Sequence, residues 1–232
     1  MPRNRFNLPE APNLFPAAKD ICVEVRGFES GLLGAITYLA WDGSKSAVVI
    51  DAGLGTADSA GKFSEENGLR PSLLINTHGH FDHIADNDRF RGLFGARFGL
   101  KIAASKKDGE LFADPVGALG FPIPLQIKPS KIEIDLDSQT KIKIGKMLFS
   151  ILKTPGHTKG SVCICEKSAN ALFSGDTLFA GSCGRTDLKG GSAGEMRESL
   201  RDLAKLPAQT KVYPGHGEAT TIGKELGWME GF

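Results

Sequence analysis

Short apolar runs separated by turn residues dominate the first half of the chain. Residues 21–25, 36–41, 47–50 and 73–75 have strand length and β-branched content, which predicts strands. From His83 onward, Ile84, Leu93 and Phe94 recur among Asp86, Asn87, Asp88 and Arg89, which predicts a helix interrupted near Gly92 and Gly95. A strand over 102–105 and a short helix over 106–112 follow. This βαβ rhythm belongs to a mixed sheet covered by helices.

Between 114 and 130 the pattern breaks down into proline and glycine around Phe121-Pro122-Ile123-Pro124-Leu125. Prolines fix φ and remove amide donors, so a surface loop packed by its own apolar residues is expected, with a flap over a pocket as the alternative. A second set of strands is predicted over 132–136, 140–144, 147–152, 162–165 and 171–173, with Lys141 and Lys143 on a solvated face. Ser192-Ala193-Gly194-Glu195 has capping-box spacing, and Met196, Leu200, Leu203 and Leu206 follow at helical intervals. That predicts a helix over 193–206, a short strand at 212–213 and a helical turn over 222–226.

Composition narrows the function classes. A 232-residue chain is within the length of one sandwich domain, so a single domain over 1–232 is expected, with 1–19 an irregular arm carrying Pro2, Pro9, Pro12 and Pro16. Apolar residues make up 41% and Lys+Arg 28 balance Asp+Glu 27, which argues against disorder and against a phosphate-coating surface for nucleic acid. No run of about 18 apolar residues occurs and no signal-peptide core is present, so a soluble cytoplasmic protein without a membrane partner is expected. The four cysteines are too uneven for a disulfide framework; Cys163 and Cys165 share one strand face and read as packing thiols.

All five histidines fall in three segments: Thr77-His78-Gly79-His80-Phe81-Asp82-His83, Pro155-Gly156-His157-Thr158 and Pro214-Gly215-His216-Gly217. Asp176, in Ser174-Gly175-Asp176-Thr177, adds a carboxylate. Imidazole and carboxylate are natural donors for zinc or iron. Residues two apart point to opposite sides of a helix, so His78 and His80 converge on one ion only from an extended segment, and Gly79 frees the backbone to turn there. Asp82 and His83, adjacent at the helix start, suit a second ion. Each later histidine follows a Pro-Gly pair that holds it at a loop apex. Two divalent cations are therefore the expected cofactors, zinc first, with iron or manganese as alternatives. Asp51, after Val48-Val49-Ile50, either accepts a hydrogen bond from a ligand histidine or is a plain turn aspartate before Ala52-Gly53.

On these segments the chain resembles the metallo-β-lactamase superfamily, whose pattern is His-x-His-x-Asp-His followed by later His, Asp and His. The match runs in order from Asp51 to His216. It implies an α+β fold, a four-layer αβ/βα sandwich of two mixed sheets flanked by helices, with metals at one edge between the sheets. By position it implies His78, His80 and His157 on one ion, Asp82, His83 and His216 on the other, and Asp176 bridging them. Within the superfamily, the stretch from Gly175 to Asp187 is similar to the glyoxalase II group of hydroxyacylglutathione hydrolases and to the related persulfide dioxygenases. There the Cys-Gly-Lys/Arg segment lies at the pocket and its basic residue contacts a glutathione carboxylate, so Cys183 and Arg185 are the matching substrate-binding positions; an Arg185–Asp187 ion pair is the alternative. Only residues 217–232 follow His216, which matches the compact bacterial glyoxalase II-like hydrolases rather than forms with an extra helical domain.

The resemblance implies cleavage of a small-molecule thioester such as S-lactoylglutathione by hydroxide bridging the two ions, with Asp82 and Asp176 as catalytic carboxylates. The leaving thiolate needs little protonation, since a thiol pKa lies near about 8.5. The alternative is a mononuclear iron dioxygenase acting on glutathione persulfide, with His78, His157 and Asp176 as its triad.

Overall fold

The computed structural model describes residues 23–31, 33–119, 124–229 and 231. The expected arm at 1–19, Cys22 and Phe121-Pro122-Ile123 lie outside the described residues. The first half of the chain builds one six-stranded sheet and the second half another.

In chain order the first half forms β1 (Glu24–Glu29), β2 (Ile36–Trp41), β3 (Ser46–Ile50), α1 (Thr56–Glu66), β4 (Arg70–Ile75), α2 (Phe81–Ile84), α3 (Asn87–Phe98), β5 (Lys101–Ala104), α4 (Gly109–Ala113) and β6 (Ile134–Asp135). β1 with β2 and β2 with β3 pair antiparallel, whereas β3, β4, β5 and β6 pair in parallel. The second half forms β7 (Lys141–Ile144), β8 (Met147–Lys153), β9 (Val162–Glu166), β10 (Ala171–Gly175), α5 (Ala193–Leu203), β11 (Lys211–Pro214), β12 (Thr220–Thr221) and α6 (Ile222–Met229). Its sheet order is β12-β11-β10-β9-β8-β7, with only β10 and β11 parallel.

Strand side chains alternate between faces, and here both faces are covered. Tyr38, Ala40, Val48 and Ile50 meet Phe149, Ile151, Ile164 and Phe173 in the layer between the sheets. Their neighbours Leu39, Trp41, Ala47 and Val49 face α1 and α3 through Ala57, Ala60, Phe90 and Phe94. On the far side, Leu152, Cys163, Cys165 and Leu172 meet Met196, Leu200 and Leu203 of α5 and Ile222 and Met229 of α6. The result is the expected helix–sheet–sheet–helix sandwich, and the apolar runs are long because the central strands have two buried faces. Cys163 and Cys165 are buried unpaired thiols, and burial pushes them up to about 12 and about 11.

Several boundaries move for physical reasons. α3 continues through Gly92 and Gly95 because Phe90 and Phe94, stacked at 6.2 Å, anchor it to the sheet. β1 runs to Glu29 although its side chains are largely exposed, since it is held as an edge strand by pairing with β2. β6 shortens to two residues, and Leu136 leaves the strand while staying buried. Ser192 accepts from the Glu195 amide at 3.3 Å, but its own amide donates to the Gly156 carbonyl at 2.8 Å, so only half of the capping box forms. Within 114–130, Ala118 packs on Leu111 and Phe81, next to the His78–His83 segment.

Three hydrogen bonds stitch the sheets together at one edge. The Val162 amide donates to the Thr77 carbonyl, the Ile36 amide to the Gly215 carbonyl and the Tyr38 hydroxyl to the Pro214 carbonyl, each at 2.8 Å. That edge carries the candidate site.

Candidate metal centre

Four chain segments deliver the seven polar side chains. β4 ends at Ile75 and leads through Asn76-Thr77 to His78 and His80, α2 carries Asp82 and His83, the loop after β8 carries His157, and the turns after β10 and β11 carry Asp176 and His216. All seven are gathered. His78, His80 and His157 form one trio and Asp82, His83 and His216 a second, each with donor atoms within 4.8 Å; His78, His83 and Asp176 form a third set of that size that links them.

Contacts across the cluster are short. His80 Nδ1 lies 2.8 Å from His157 Nε2, and His83 Nε2 lies 3.1 Å from His216 Nε2. Asp176 reaches both trios, with Oδ1 3.4 Å from His83 Nε2 and Oδ2 3.5 Å from both His157 Nε2 and His216 Nε2. Asp82 Oδ2 lies 3.4 Å from His216 Nε2.

Outer contacts fix which ring nitrogen faces inward. His157 Nδ1 donates to the Arg185 carbonyl at 2.7 Å and His216 Nδ1 to the Leu33 carbonyl at 3.0 Å. His83 Nδ1 donates to Asp51 Oδ2 at 2.9 Å. Asp51 Oδ2 also accepts from the Thr77 hydroxyl at 2.8 Å, and Thr77 Oγ1 in turn lies 3.1 Å from His78 Nδ1. Asp51 thus orients His83 directly and His78 through Thr77, the expected histidine–carboxylate contact. It adopts the left-handed region at φ 59°, a strained conformation for a residue with a side chain.

With Nδ1 of each ring bonded outward, the Nε2 atoms of His83 and His216 face one another 3.1 Å apart, where a divalent cation would replace the protons that the neighbouring carboxylates favour. His78 Nε2, His80 Nε2 and Asp176 Oδ1 are buried without a hydrogen-bond partner. Unpaired buried polar atoms cost about 1–3 kcal/mol each, so their concentration at one point fits a donor set for divalent metal ions.

Electrostatics divide the cluster. Burial, then the neighbouring imidazoles, hold His78 well below 6.5 and His80 down at about 3, so both stay neutral donors. Burial also opposes charge on His83 and His216, but Asp176, Asp82 and, for His83, Asp51 outweigh it and lift them to about 9 and about 10. Against the cost of burial, these imidazoles keep the Asp82 and Asp176 carboxyls below their ordinary range.

The Gly184 amide donates to the Asp176 carbonyl at 3.0 Å, so the 183–185 segment supports the cluster through its backbone. The Cys183 side chain packs instead against the α5–α6 core. Arg185 is exposed and forms a two-pronged ion pair with Asp187, Nε–Oδ1 at 2.7 Å and Nη2–Oδ2 at 2.8 Å. Gly79 has an ordinary φ, and its role is proximity rather than freedom to turn: a Cβ there would sit 2.8 Å from Leu111 Cβ and 3.0 Å from Asp108 Cβ. Thr77, Asp108 and the Leu33 and Arg185 carbonyls were not foreseen from sequence. Asp108 bonds residues 29, 50 and 52 positions away, which no local pattern reveals.

A four-layer sandwich with a histidine–aspartate cluster at one rim defines a metal-dependent hydrolase. Residues 31–216 match the family model of the metallo-beta-lactamase superfamily, and the chain belongs to that superfamily, whose members bind divalent metal ions, typically two. The chain is 34% identical over 196 residues to the hydroxyacylglutathione hydrolase GloC of Haemophilus influenzae, covering 81% of this chain and 87% of that protein. Among solved structures it resembles the BLEG-1 B3 metallo-beta-lactamase, with TM-score 0.80 and 32% identity over 88% of this chain and 97% of that one. It also resembles TTHA1623 in a di-iron-bound form, with TM-score 0.69 and 31% identity over 86% of this chain and 96% of that one.

Proposed function

We propose that the protein hydrolyses a small thioester of a glutathione-like thiol, S-lactoylglutathione being the first substrate to test. The observation that carries this reading is the pair of trios sharing Asp176, five imidazoles and two carboxylates converging at a partly open rim. His78, His80 and His157 would hold one divalent ion, Asp82, His83 and His216 the other, and Asp176 both. Such ions, zinc first and iron or manganese as alternatives, supply Lewis acidity and lower the pKa of a shared water toward neutrality.

The chain's own residues do the rest. Asp51 and the Leu33 and Arg185 carbonyls keep Nε2 of His83, His216 and His157 pointing inward. Asp82, held ionised by the imidazoles around it, is placed to orient the attacking oxygen, whose proton passes to solvent once its pKa is lowered. The carbonyl carbon gains a bond to that oxygen, the carbon–sulfur bond breaks, and the thiolate leaves without needing a protein acid. Arg185 faces solvent beside the His157 loop, where exchanging Asp187 for a substrate carboxylate would anchor the carrier thiol. The kinship with GloC supports this choice of substrate.

The persulfide dioxygenase reading needs only His78, His157 and Asp176; the kinship with the hydroxyacylglutathione hydrolase GloC favours the hydrolase. Protein purified without added metal should carry two divalent ions per chain and turn over S-lactoylglutathione. His80→Ala should abolish turnover while circular dichroism stays unchanged. One iron per chain with oxygen consumption on glutathione persulfide would establish the dioxygenase instead.

A further inference from the structure

Asp108, on the turn between β5 and α4, is 3% exposed and touches none of the seven clustered side chains through its carboxylate. Its Oδ2 accepts from the Gly79 amide at 2.9 Å and from the Thr158 hydroxyl at 2.7 Å, and its Oδ1 accepts from the Gly160 amide at 2.7 Å. Gly79 lies between His78 and His80, and Thr158 follows His157. One carboxylate therefore ties together the two loops that carry the whole first trio, one loop from each sheet. Both loops have glycine where Asp108 meets them: a Cβ at 160 would lie 2.6 Å from Asp108 Cγ, and one at 79 would lie 3.0 Å from its Cβ. Asp82, His83 and His216 sit on α2 and after β11, outside this set of bonds; their support comes from Asp51 and Leu33.

We propose that Asp108 is a positioning residue for the first of the two cations. It sets the spacing of the His78–His80 loop from the His157 loop, and thereby the affinity of the first trio more than that of the second. The inference rests on the two-ion reading above. Asp51, by contrast, reaches both trios, His83 directly and His78 through Thr77, so Asp108 is the carboxylate that distinguishes them.

The test uses the full chain, stripped with a chelator and titrated with Co²⁺ by its visible absorption and with Zn²⁺ against a chromogenic chelator. Asp108→Asn keeps the side chain's size, but its NH2 must face at least one of the three donors. It should weaken one binding step about 10–100-fold, the usual cost of losing an outer partner of a ligand loop. The other step should weaken several-fold less, since the second trio is coupled to the first through Asp176 and makes no bond to Asp108. The more weakened step must be the one that His80→Ala abolishes. Thr158→Val, which removes a single donor, should weaken the same step less and serves if Asp108→Asn does not fold. Equal weakening of both steps, or of neither, would overturn the proposal. A wild-type chain that binds fewer than two ions would overturn the two-ion reading itself, which is a distinguishable failure.

Discussion

Asp51, which follows β3, and His83, on α2, lie before and after β4 in the chain, and their side chains meet at 2.9 Å, Oδ2 to Nδ1. Asp51 holds a left-handed φ of 59° to make this contact while also accepting from the Thr77 amide at 2.7 Å. Asp51→Asn should therefore cost more than one hydrogen bond, because the amide NH2 must oppose the Thr77 or the His83 donor. Metal affinity measured by chelator competition should fall about 10–100-fold. An unchanged dissociation constant would show that the contact does not orient the imidazole.

Gly215 has no room for a side chain. A Cβ there would overlap Asp176 Oδ1 and sit 2.8 Å from His83 Cε1. Gly215→Ala should abolish tight metal binding and hydrolysis while leaving the core between the sheets folded. Calorimetric titration with Zn²⁺ alongside far-UV circular dichroism tests this; full-affinity binding of two ions would refute it.

Chelated and metal-loaded protein should respond oppositely to rising pH. His83 and His216 bind protons more tightly folded, at about 9 and about 10, than unfolded near 6.5. Their stabilisation of the chelated protein is complete below 6.5 and disappears as pH climbs through 9 to 10. His80, neutral down to about 3, works the other way: below 6.5 the unfolded chain takes up the proton more readily, so stability drops toward acid. Thermal midpoints of chelated protein should peak near neutrality. Zn²⁺ affinity should rise from pH 6.5 to 10, since the metal displaces those protons. A flat affinity over that range would be inconsistent with protonated His83 and His216.

Arg185 and Asp187 are both exposed, so water screens their pairing and the exchange of partner costs little. If Arg185 anchors a substrate carboxylate, Asp187→Asn should lower KM for a glutathione thioester a few-fold and Arg185→Ala should raise it, with kcat nearly constant in both. Equal KM values across the three proteins would leave the segment a purely backbone role.

The sequence made the donor set legible because histidines are few and each sits at a turn whose Gly or Pro punctuates a strand end. The sheets were legible through their apolar runs. α1 was not: its buried face is Thr56, Ala57, Ala60, Gly61 and Ser64, too small to register as an apolar stripe, and Gly55 starts it without a side-chain cap. The interruption expected at Gly92 and Gly95 did not occur because tertiary packing of Phe90 and Phe94 outweighs glycine's weak helix preference. Asp108 was invisible for a different reason. Gly79 lies 29 residues away across β5, and Thr158 and Gly160 belong to a loop of the other sheet.

His78 and His83 come from the first sheet's loops and His157, Asp176 and His216 from the second's. Ions held there would act as a reversible cross-link between the halves of the polypeptide, in the manner of a disulfide closed by coordination. Free cation concentration would then govern how often the halves breathe apart, by mass action on the folded state alone. Amide exchange at Val162 and Ile36, whose bonds span the seam, would report that breathing directly.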